Sequence, residues 1–360
     1  MEASAINTRG AAAPLGERPS RARLADPAFK VFLTVLAALV LVLIAFFFVF
    51  LANKAQPAFS QFGVFGFVFD NDWNVSQGVY GALPLVVGTL ISSAIALVIG
   101  VPVAVATALF VTELCPRRAR STLTVLIELL AAVPSVVYGL WGFLVVIPFL
   151  KPFQQWLADT FGFLPFVGGP VAGPSYFIAG LILAIMIVPI VSAISREVMS
   201  TVPPDHKEAA LALGATRWEM IRMAVLPYSR RGITGAAMLG LGRAIGETIA
   251  VTLVIGNAPQ IGKQIFDQGY TLAAVIANEF GEAANNKIHT AALIAAGLVL
   301  FVLTLIVNAL ARWVVTRAER VDKPAGRFRR GGGGGLVAGS TTVGLTPAPV
   351  DDIATVVSES

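Results

Sequence analysis

The stretch PPDHKEAALALGATRWEMIRMAVLP, residues 203–227, decides how this chain folds, because it is a charged, helix-forming segment between two long apolar runs. Two prolines open it, and the alanine-rich segment 206–214 is a strong helix former. Gly214 stands where a helix is commonly ended by glycine. A second helical segment, 216–225, then leads into the next apolar run. The pattern predicts two short helices joined by a turn, which form a rigid protrusion from the apolar part of the fold.

The start of the first of these helices carries a candidate cap. Asp205 follows the two prolines, and Glu208 comes three residues later. An aspartate followed by a glutamate at this spacing is typical of a capping box, in which side chains satisfy free backbone N–H groups. We therefore expect Asp205 to be the N-cap residue of the helix that contains Glu208.

Outside this stretch, the chain is too apolar for a soluble domain. Hydrophobic residues make up 56% of its 360 residues and charged residues only 13%, whereas soluble domains have about 25% charged residues. The apolar runs lack the alternation of barrel strands, and most have the roughly 20 residues that a helix needs to cross a bilayer. We therefore predict an all-α, polytopic membrane protein. The six predicted membrane helices are residues 31–51, 80–111, 123–149, 176–195, 232–256 and 290–312.

The basic residues are distributed unevenly between these runs. With the N-terminus inside, 21 of the 26 lysines and arginines lie in inside segments, 4 lie in outside segments, and Arg243 lies within a run. Cytoplasmic loops of membrane proteins are enriched in lysine and arginine. Both termini are therefore predicted to be cytoplasmic, with loop 257–289 outside. This placement accounts for the net charge of +5, so we expect no nucleic-acid partner.

Composition divides the chain into four parts. Residues 1–28 are basic and rich in Ala, Arg, Pro and Ser, which predicts a disordered cytoplasmic N-terminus. Residues 29–79 hold the first predicted membrane helix and an external loop, and residues 80–315 hold the remaining membrane helices. Residues 316–360, with five consecutive glycines at 331–335, predict a flexible, disordered cytoplasmic tail.

The spacing within residues 203–227 resembles the EAA loop of the permease subunits of bacterial ABC importers. That loop has Glu-Ala-Ala, three residues, a Gly, nine residues, an Ile, one residue and then Leu-Pro; the Ile position holds Ala224 here. The resemblance implies that residues 205–227 couple this chain to an ATPase subunit by inserting into a groove of that subunit. The matching positions are Glu208, Ala209, Ala210, Gly214, Leu226 and Pro227.

Three stretches are similar to the PstC-type permeases of phosphate importers: AVPSVVYGLWGF at 132–143, the segment 187–221, and MLGLGRAIGETIAVTLVIGN at 238–257. The similarity covers about residues 30–315. It implies a type I ABC importer permease in a bacterial plasma membrane, with the permease domain at 80–315. The implied partners are a second, homologous permease that completes a heterodimer, two ATPase subunits, and an extracytoplasmic phosphate-binding protein. ATP and Mg²⁺ would be bound by the ATPase subunits, so this chain would need no cofactor and would not itself be an enzyme.

Two charges stand inside the fifth apolar run. An arginine at the centre of a membrane helix costs about 2.5–3.5 kcal/mol, and such residues usually mark the path of a substrate or ion. Arg243 and Glu247 are four residues apart, so a continuous helix would place both on one face. A guanidinium group has forked donors that match phosphate oxygens, and Glu247 would weaken its field enough for the anion to leave. We therefore predict that both residues line the path of phosphate.

The same run holds Gly242 and Gly246, also four residues apart. Small residues at this spacing let a neighbouring helix approach closely, so we expect a helix packed beside the charged face. The structural alternative for Arg243 and Glu247 is a neutralised pair that holds two helices together.

Three classes of function are compatible with these residues. The first is the phosphate importer permease. The second is a permease for another oxyanion, sulfate or molybdate, or the other permease subunit of the phosphate system. The third is a proton-coupled secondary transporter in which Glu247 carries the proton. The sequence contains no phosphate-binding loop of an ATPase, no nucleophile elbow and no Cys/His cluster, so no metal site or catalytic residue is expected.

Overall fold

The computed structural model describes residues 21–164 and 166–321, and these are mostly helical. The only sheet within them is an antiparallel hairpin of β1 (Trp73–Asn74) and β2 (Val79–Tyr80). Three helices continue into a π-helical turn, at Phe110–Leu114, Gly142–Val146 and Ile221–Val225. The α-helices are α1 (Arg21–Phe62), α2 (Val64–Phe69), α3 (Leu83–Leu109), α4 (Arg117–Ala132), α5 (Ser135–Trp141), α6 (Ile147–Phe161), α7 (Tyr176–Ser200), α8 (Pro204–Ala212), α9 (Arg217–Met220), α10 (Leu226–Gly246), α11 (Ile249–Val254), α12 (Leu272–Glu279) and α13 (Lys287–Val321).

The chain divides into two compact units, Met1–Thr316 and Arg317–Ser360. Helix α1 begins at Arg21, so the prediction of disorder up to residue 28 is wrong for residues 21–28. Helix α13 continues to Val321, beyond the predicted start of the tail at residue 316. The remainder of both predicted tails, 1–20 and 322–360, lies outside the described residues.

Within residues 21–164 and 166–321, five helical stretches are long and apolar enough to cross a membrane. They correspond to five of the six predicted helices, with longer bounds in most cases. The fifth predicted helix, 232–256, is present as α10 and α11 and is interrupted between them. The fold therefore has about six membrane-crossing segments, as predicted, one of which is broken. The five stretches are Phe29–Phe62, Leu83–Leu114, Ser135–Phe161, Tyr176–Ser200 and Lys287–Val314.

The interruption lies at Glu247 and Thr248. Glu247 has an extended backbone, with φ −71° and ψ 128°. Its Oε1 accepts a hydrogen bond from the backbone N–H of Ala250 at 3.4 Å, and the Thr248 hydroxyl donates to the carbonyl of Gly246 at 3.3 Å. These local bonds compete with the helical hydrogen bonds, and Gly246 is a weak helix former. The prediction of one helix over 232–256 is therefore wrong.

The third predicted helix, 123–149, is also divided. Helix α4 ends at Ala132 and α5 begins at Ser135, with Val133 and Pro134 extended between them. Proline disfavours the helical conformation for the residue before it, so Pro134 ends α4 at this point. No residue of α4 is buried in this chain, and the stretch that can cross a membrane starts only after the break.

Helix α7 lies at the centre of the fold and packs against α3 and α10 through glycines. A Cβ atom on Gly180 would lie 2.5 Å from Cβ of Ile95 in α3. A Cβ atom on Gly240 of α10 would lie 2.8 Å from Cγ2 of Val191, and one on Gly232 would lie 2.4 Å from Val198. Close backbone approach at small residues is how membrane helices gain van der Waals contact. These glycines therefore hold α3 and α10 close against α7.

The loop between α11 and α13 folds against the β-hairpin at the end of the helices opposite to residues 203–227. Oε2 of Glu279, the last residue of α12, accepts a hydrogen bond from Nε1 of Trp73 at 3.1 Å and lies 3.0 Å from Nε2 of His289. The ring of His289 stacks on that of Tyr80, with centroids 5.4 Å apart. His289 is buried, so this cluster fastens the hairpin, α12 and α13 together.

Candidate functional site

The predicted protrusion is present, and its first helix ends at the expected glycine. Helix α8 is followed by Gly214 with φ +85°. The N–H of Gly214 donates to the carbonyl of Leu211 at 3.0 Å, and that of Ala215 donates to the carbonyl of Ala210 at 3.2 Å. These two bonds form a Schellman motif, which needs a left-handed residue at this position. Gly214 therefore sets the angle between the two halves of the loop.

The predicted cap on α8 is wrong, and a capping box is found one helix later. The N-cap of α8 is Pro203, and no side chain caps this end. The N-cap of α9 is Thr216, whose hydroxyl accepts from the N–H of Glu219 at 3.3 Å, while Oε2 of Glu219 accepts from the N–H of Thr216 at 2.8 Å. The backbone N–H and then the hydroxyl of Thr216 hold the pKa of Glu219 below its ordinary value.

The protrusion is anchored to the membrane helices on one side. Nζ of Lys207 lies 2.7 Å from Oε1 of Glu113, which stands at the end of the helix that continues α3. Ala210 and Leu226, two of the motif positions, pack against a buried apolar cluster at the base of the loop. The cluster consists of Ala108, Met199, Val202, Met220, Ile221 and Val225. The base of the loop is therefore packed against the ends of α3 and α7 and the start of α10.

The other side of the protrusion faces solvent and is partly apolar. Glu208 and Ala209 are exposed, and Leu213 and Trp218 expose 90% and 63% of their surface. Ala224, which replaces the Ile of the motif, is half-buried. An apolar surface that none of the described residues covers is typical of a site where another protein docks.

Arg243 lies in α10, twelve residues beyond Arg231. This is about 18 Å along the helix from a residue just before the fifth predicted membrane run, whereas a hydrocarbon layer is about 30 Å thick. Its side chain is exposed, and it forms no ion pair within residues 21–164 and 166–321. It lies near Tyr138 in α5, whose hydroxyl donates to the carbonyl of Leu130 across the break between α4 and α5 at 2.9 Å. An unpaired cation therefore stands at the surface of the helix bundle.

Glu247 is not on the same helical face as Arg243, because the helix that would align them ends at Gly246. That part of the prediction is wrong. The half-buried carboxylate of Glu247 instead accepts a hydrogen bond from the first turn of α11, where the positive end of a helix dipole favours a negative charge. Arg243 and Glu247 thus do not form the predicted pair: Arg243 lies near the end of α10, and Glu247 caps the start of α11.

The predicted close contact at Gly242 and Gly246 is also wrong for the described part of the chain. No atom lies within 4 Å of the Cβ position of either glycine. The close approach is found instead between α5 and α11, where a Cβ atom on Gly139 would lie 2.7 Å from Cα of Ala250. A Cβ atom on Gly142 would lie 2.9 Å from Cγ1 of Val254. The glycine spacing in GLWG, 139–142, was the signal for this contact in the sequence.

Comparisons with known proteins agree with this architecture. The family model described as binding-protein-dependent transport system inner membrane component matches residues 97–320. The phosphate transport system permease protein PstC of Mesorhizobium japonicum is 43% identical over 304 residues, which are 83% of this chain and 92% of that protein. The corresponding protein PstC 2 of Mycobacterium tuberculosis is 42% identical over 313 residues, 85% of this chain and 95% of that protein.

Among solved structures, a bacterial alginate ABC transporter, in complex with its alginate pentasaccharide-bound periplasmic protein, has a similar chain. The TM-score is 0.51 at 22% identity, over 81% of this chain and 98% of the other. At this identity the likeness concerns the fold alone. With a family model over more than half of the chain and relatives above 40% identity over most of it, this chain belongs to the inner-membrane components of binding-protein-dependent transport systems, within the family of PstC permease proteins.

Proposed function

We propose that this chain is the membrane-spanning permease subunit of an ATP-driven importer that passes inorganic phosphate into the bacterial cytoplasm. The observation that carries the proposal is the exposed Arg243 within the fifth predicted membrane segment, which has no ion-pair partner among the described residues, in a chain whose relatives are phosphate transport permeases. A guanidinium group at this depth is unfavourable unless it faces water, an anion or another protein. A phosphate ion that passes it would receive two parallel hydrogen bonds from a donor that remains charged at any relevant pH.

A second permease subunit completes the path in this proposal. Arg243 lies at the surface of the bundle near Tyr138, and the neighbouring parts of α4 and α5 expose large apolar side chains. A homologous subunit packed against this surface would enclose Arg243 between the two chains and shield it from lipid. The exposed apolar residues are Val125, Leu126, Leu129, Leu130, Val136, Val137, Leu140 and Trp141.

Energy would come from two ATPase subunits that bind ATP and Mg²⁺, since this chain supplies only the pore. The residues that would enter their grooves are Glu208 and Ala209 on the exposed side of α8, with Leu213 and Trp218 beside them. Gly214 would hold the shape of the loop through its turn, and Ala210 and Leu226 through the buried cluster at its base. Pro227 is exposed in the first turn of α10.

Orientation follows from the same assignment. Residues 203–227 would lie in the cytoplasm with both termini, and the hairpin and α12 would lie outside, where an extracytoplasmic phosphate-binding protein delivers its ligand. In a chain with Cys115→Ala, a cysteine at Asn278 should react with a membrane-impermeant reagent from outside, and one at Arg217 should not. Both side chains are exposed, so the reverse pattern would contradict this orientation.

The function is tested by transport in proteoliposomes that contain this chain with its partner permease and ATPase subunits. Phosphate uptake should require both internal ATP and the external phosphate-binding protein. Sulfate and molybdate should not be taken up under the same conditions. Uptake of another oxyanion in preference to phosphate would contradict the proposal, as would phosphate uptake driven by a proton gradient without ATP.

A further inference from the structure

A second arginine lies beside the break between α4 and α5. Nη2 of Arg196, in α7, lies 3.0 Å from Oε1 of Glu128 in α4. Glu128 is two residues before Leu130, whose carbonyl accepts the hydrogen bond from Tyr138 across the break. Tyr138 in turn lies near Arg243. Both arginines are therefore on the side of the bundle that α4 and α5 occupy.

The two arginines lie at different heights in the bundle. Helices α7 and α10 are antiparallel, and Gly240 of α10 packs against Val191 of α7. Arg196 is five residues beyond Val191 on α7, whereas Arg243 is three residues beyond Gly240 on α10. They are thus about eight residues apart along the bundle axis, which is about 12 Å. Arg196 is the nearer of the two to residues 203–227.

Glu128 uses only part of the guanidinium group of Arg196. A guanidinium group has five N–H donors, and the ion pair engages Nη2. Nη1 is buried and has no hydrogen-bond partner within residues 21–164 and 166–321. A buried charged donor without an acceptor is unfavourable, and an oxygen of an oxyanion would satisfy it with a charge-assisted hydrogen bond. The side chains of Arg196 and Glu128 are 20% and 56% exposed, so the pair is open to the surface of the bundle.

The carboxylate of Glu128 limits how firmly an anion could bind here. A guanidinium group alone would hold an oxyanion strongly, whereas a neighbouring negative charge lowers the net attraction. An ion in transit needs sites that attract it and yet release it, and several weak sites in series meet this need. Arg196 and Glu128 have the charges that such a site requires.

We propose that Arg196 and Glu128 form a second site for the transported oxyanion, here called the exit site, which the ion reaches after Arg243. Arg196 binds the ion through Nη1, and Glu128 keeps the binding weak. The inference rests on the proposed function, under which the ion is phosphate and the exit site lies between Arg243 and the cytoplasm.

The test detects an anion at the exit site by competition. In the complete complex, with Cys115→Ala and Glu128→Cys in this chain, the introduced thiol would stand beside Arg196 and react with an anionic methanethiosulfonate reagent. Phosphate should slow this reaction at least fivefold, because the ion and the reagent compete for one guanidinium group, and chloride at equal ionic strength should not. Adding Arg196→Gln should abolish the protection. The matched control is Arg118→Gln, which removes an equal charge from the exposed start of α4 and should leave the protection intact.

A second measurement separates binding of the ion from a purely structural ion pair. If the pair only ties α4 to α7, Arg196→Gln and Glu128→Gln break the same contact and should have the same effect. At the exit site they should act in opposite directions on the inhibition of uptake by phosphate enclosed in the proteoliposomes. Glu128→Gln should lower the half-inhibiting concentration at least fivefold, and Arg196→Gln should raise it at least fivefold.

Three outcomes would overturn the inference. A thiol that no oxyanion protects would show that no anion binds beside Arg196. Equal shifts in the two glutamine variants would show that the pair is structural. Loss of the second permease from Arg196→Gln complexes would show that Nη1 contacts that subunit. Protection by sulfate or molybdate, and not by phosphate, supports the exit site and contradicts only the proposed function, so the two failures can be told apart.

Discussion

Replacement of Gly214 tests the turn between the two helical halves of residues 205–227, here called the coupling loop. Gly214 has φ +85°, and an L-residue in the left-handed region costs about 1–2 kcal/mol. If the free energy that favours this turn is itself only a few kcal/mol, alanine at this position should lower the population of the correct turn roughly 5- to 30-fold. Proline cannot adopt a positive φ and has no N–H. Gly214→Pro would thus also remove the hydrogen bond to Leu211 and, with the turn, the bond from Ala215 to Ala210, each with a net value of about 1 kcal/mol.

The assay for these variants is ATP-dependent phosphate uptake, together with co-purification of the ATPase subunits, at equal membrane levels of the chain. Uptake should decrease in the order glycine, alanine, proline, and the proline variant should lose its ATPase partner. Gly235→Ala is the matched control, because this glycine lies within α10, where alanine is the better helix former. Normal uptake by Gly214→Pro would refute the assignment of this turn as the coupling element.

Three further predictions concern packing and charge. Gly139→Ala should destabilise the detergent-solubilised chain by about 1–3 kcal/mol, because its methyl group would meet the backbone of Ala250. Thermal unfolding of this variant is compared with that of the control variant Gly235→Ala. Equal stability of the two variants would contradict the contact. His289→Ala removes one hydrogen-bond partner of the largely buried Glu279 and should cost about 1–3 kcal/mol. An unchanged unfolding temperature would show that the cluster does not hold α12 in place. Because the pKa of Glu219 is lowered, the ionised carboxylate stabilises α9 fully above the ordinary pKa of about 4.3, and this stabilisation is lost as the pH falls through the lowered pKa. Thr216→Val should raise the midpoint of the Glu219 titration, which is followed by the infrared absorption of the carboxylate. An unchanged midpoint would contradict the hydrogen bond to the Thr216 hydroxyl.

The coupling loop could be predicted from the sequence because local chemistry determines most of it. Only glycine fits well at φ +85°, and Gly214 follows a helix-forming segment of the right length. The cap was misassigned because Pro203 and Pro204 shift the start of α8, so that Asp205 is already within the helix. The sequence contains the same signature at Thr216 and Glu219, where the capping box is found.

The break at Glu247 could not be predicted from hydropathy, because the apolar run continues through it. The break depends on the hydrogen bond between Glu247 and Ala250 and on the packing of α11 against Gly139. Gly139 and α11 are separated by more than 100 residues in the sequence. Arg243 is predicted to be a site residue from its charge alone, which is a strong signal in an apolar run. Its relation to Glu247 was wrong because residue spacing predicts a shared face only where the helix is continuous.

Phosphate uptake by Arg243 variants tests the central claim most directly. In proteoliposomes with all partner subunits, Arg243→Gln should lower phosphate uptake at least tenfold, equivalent to about 1.4 kcal/mol, while the complex stays assembled and hydrolyses ATP. Arg243→Lys should restore uptake only in part, because an ammonium group cannot form the bidentate contact. Normal phosphate uptake by assembled Arg243→Gln complexes would contradict the account.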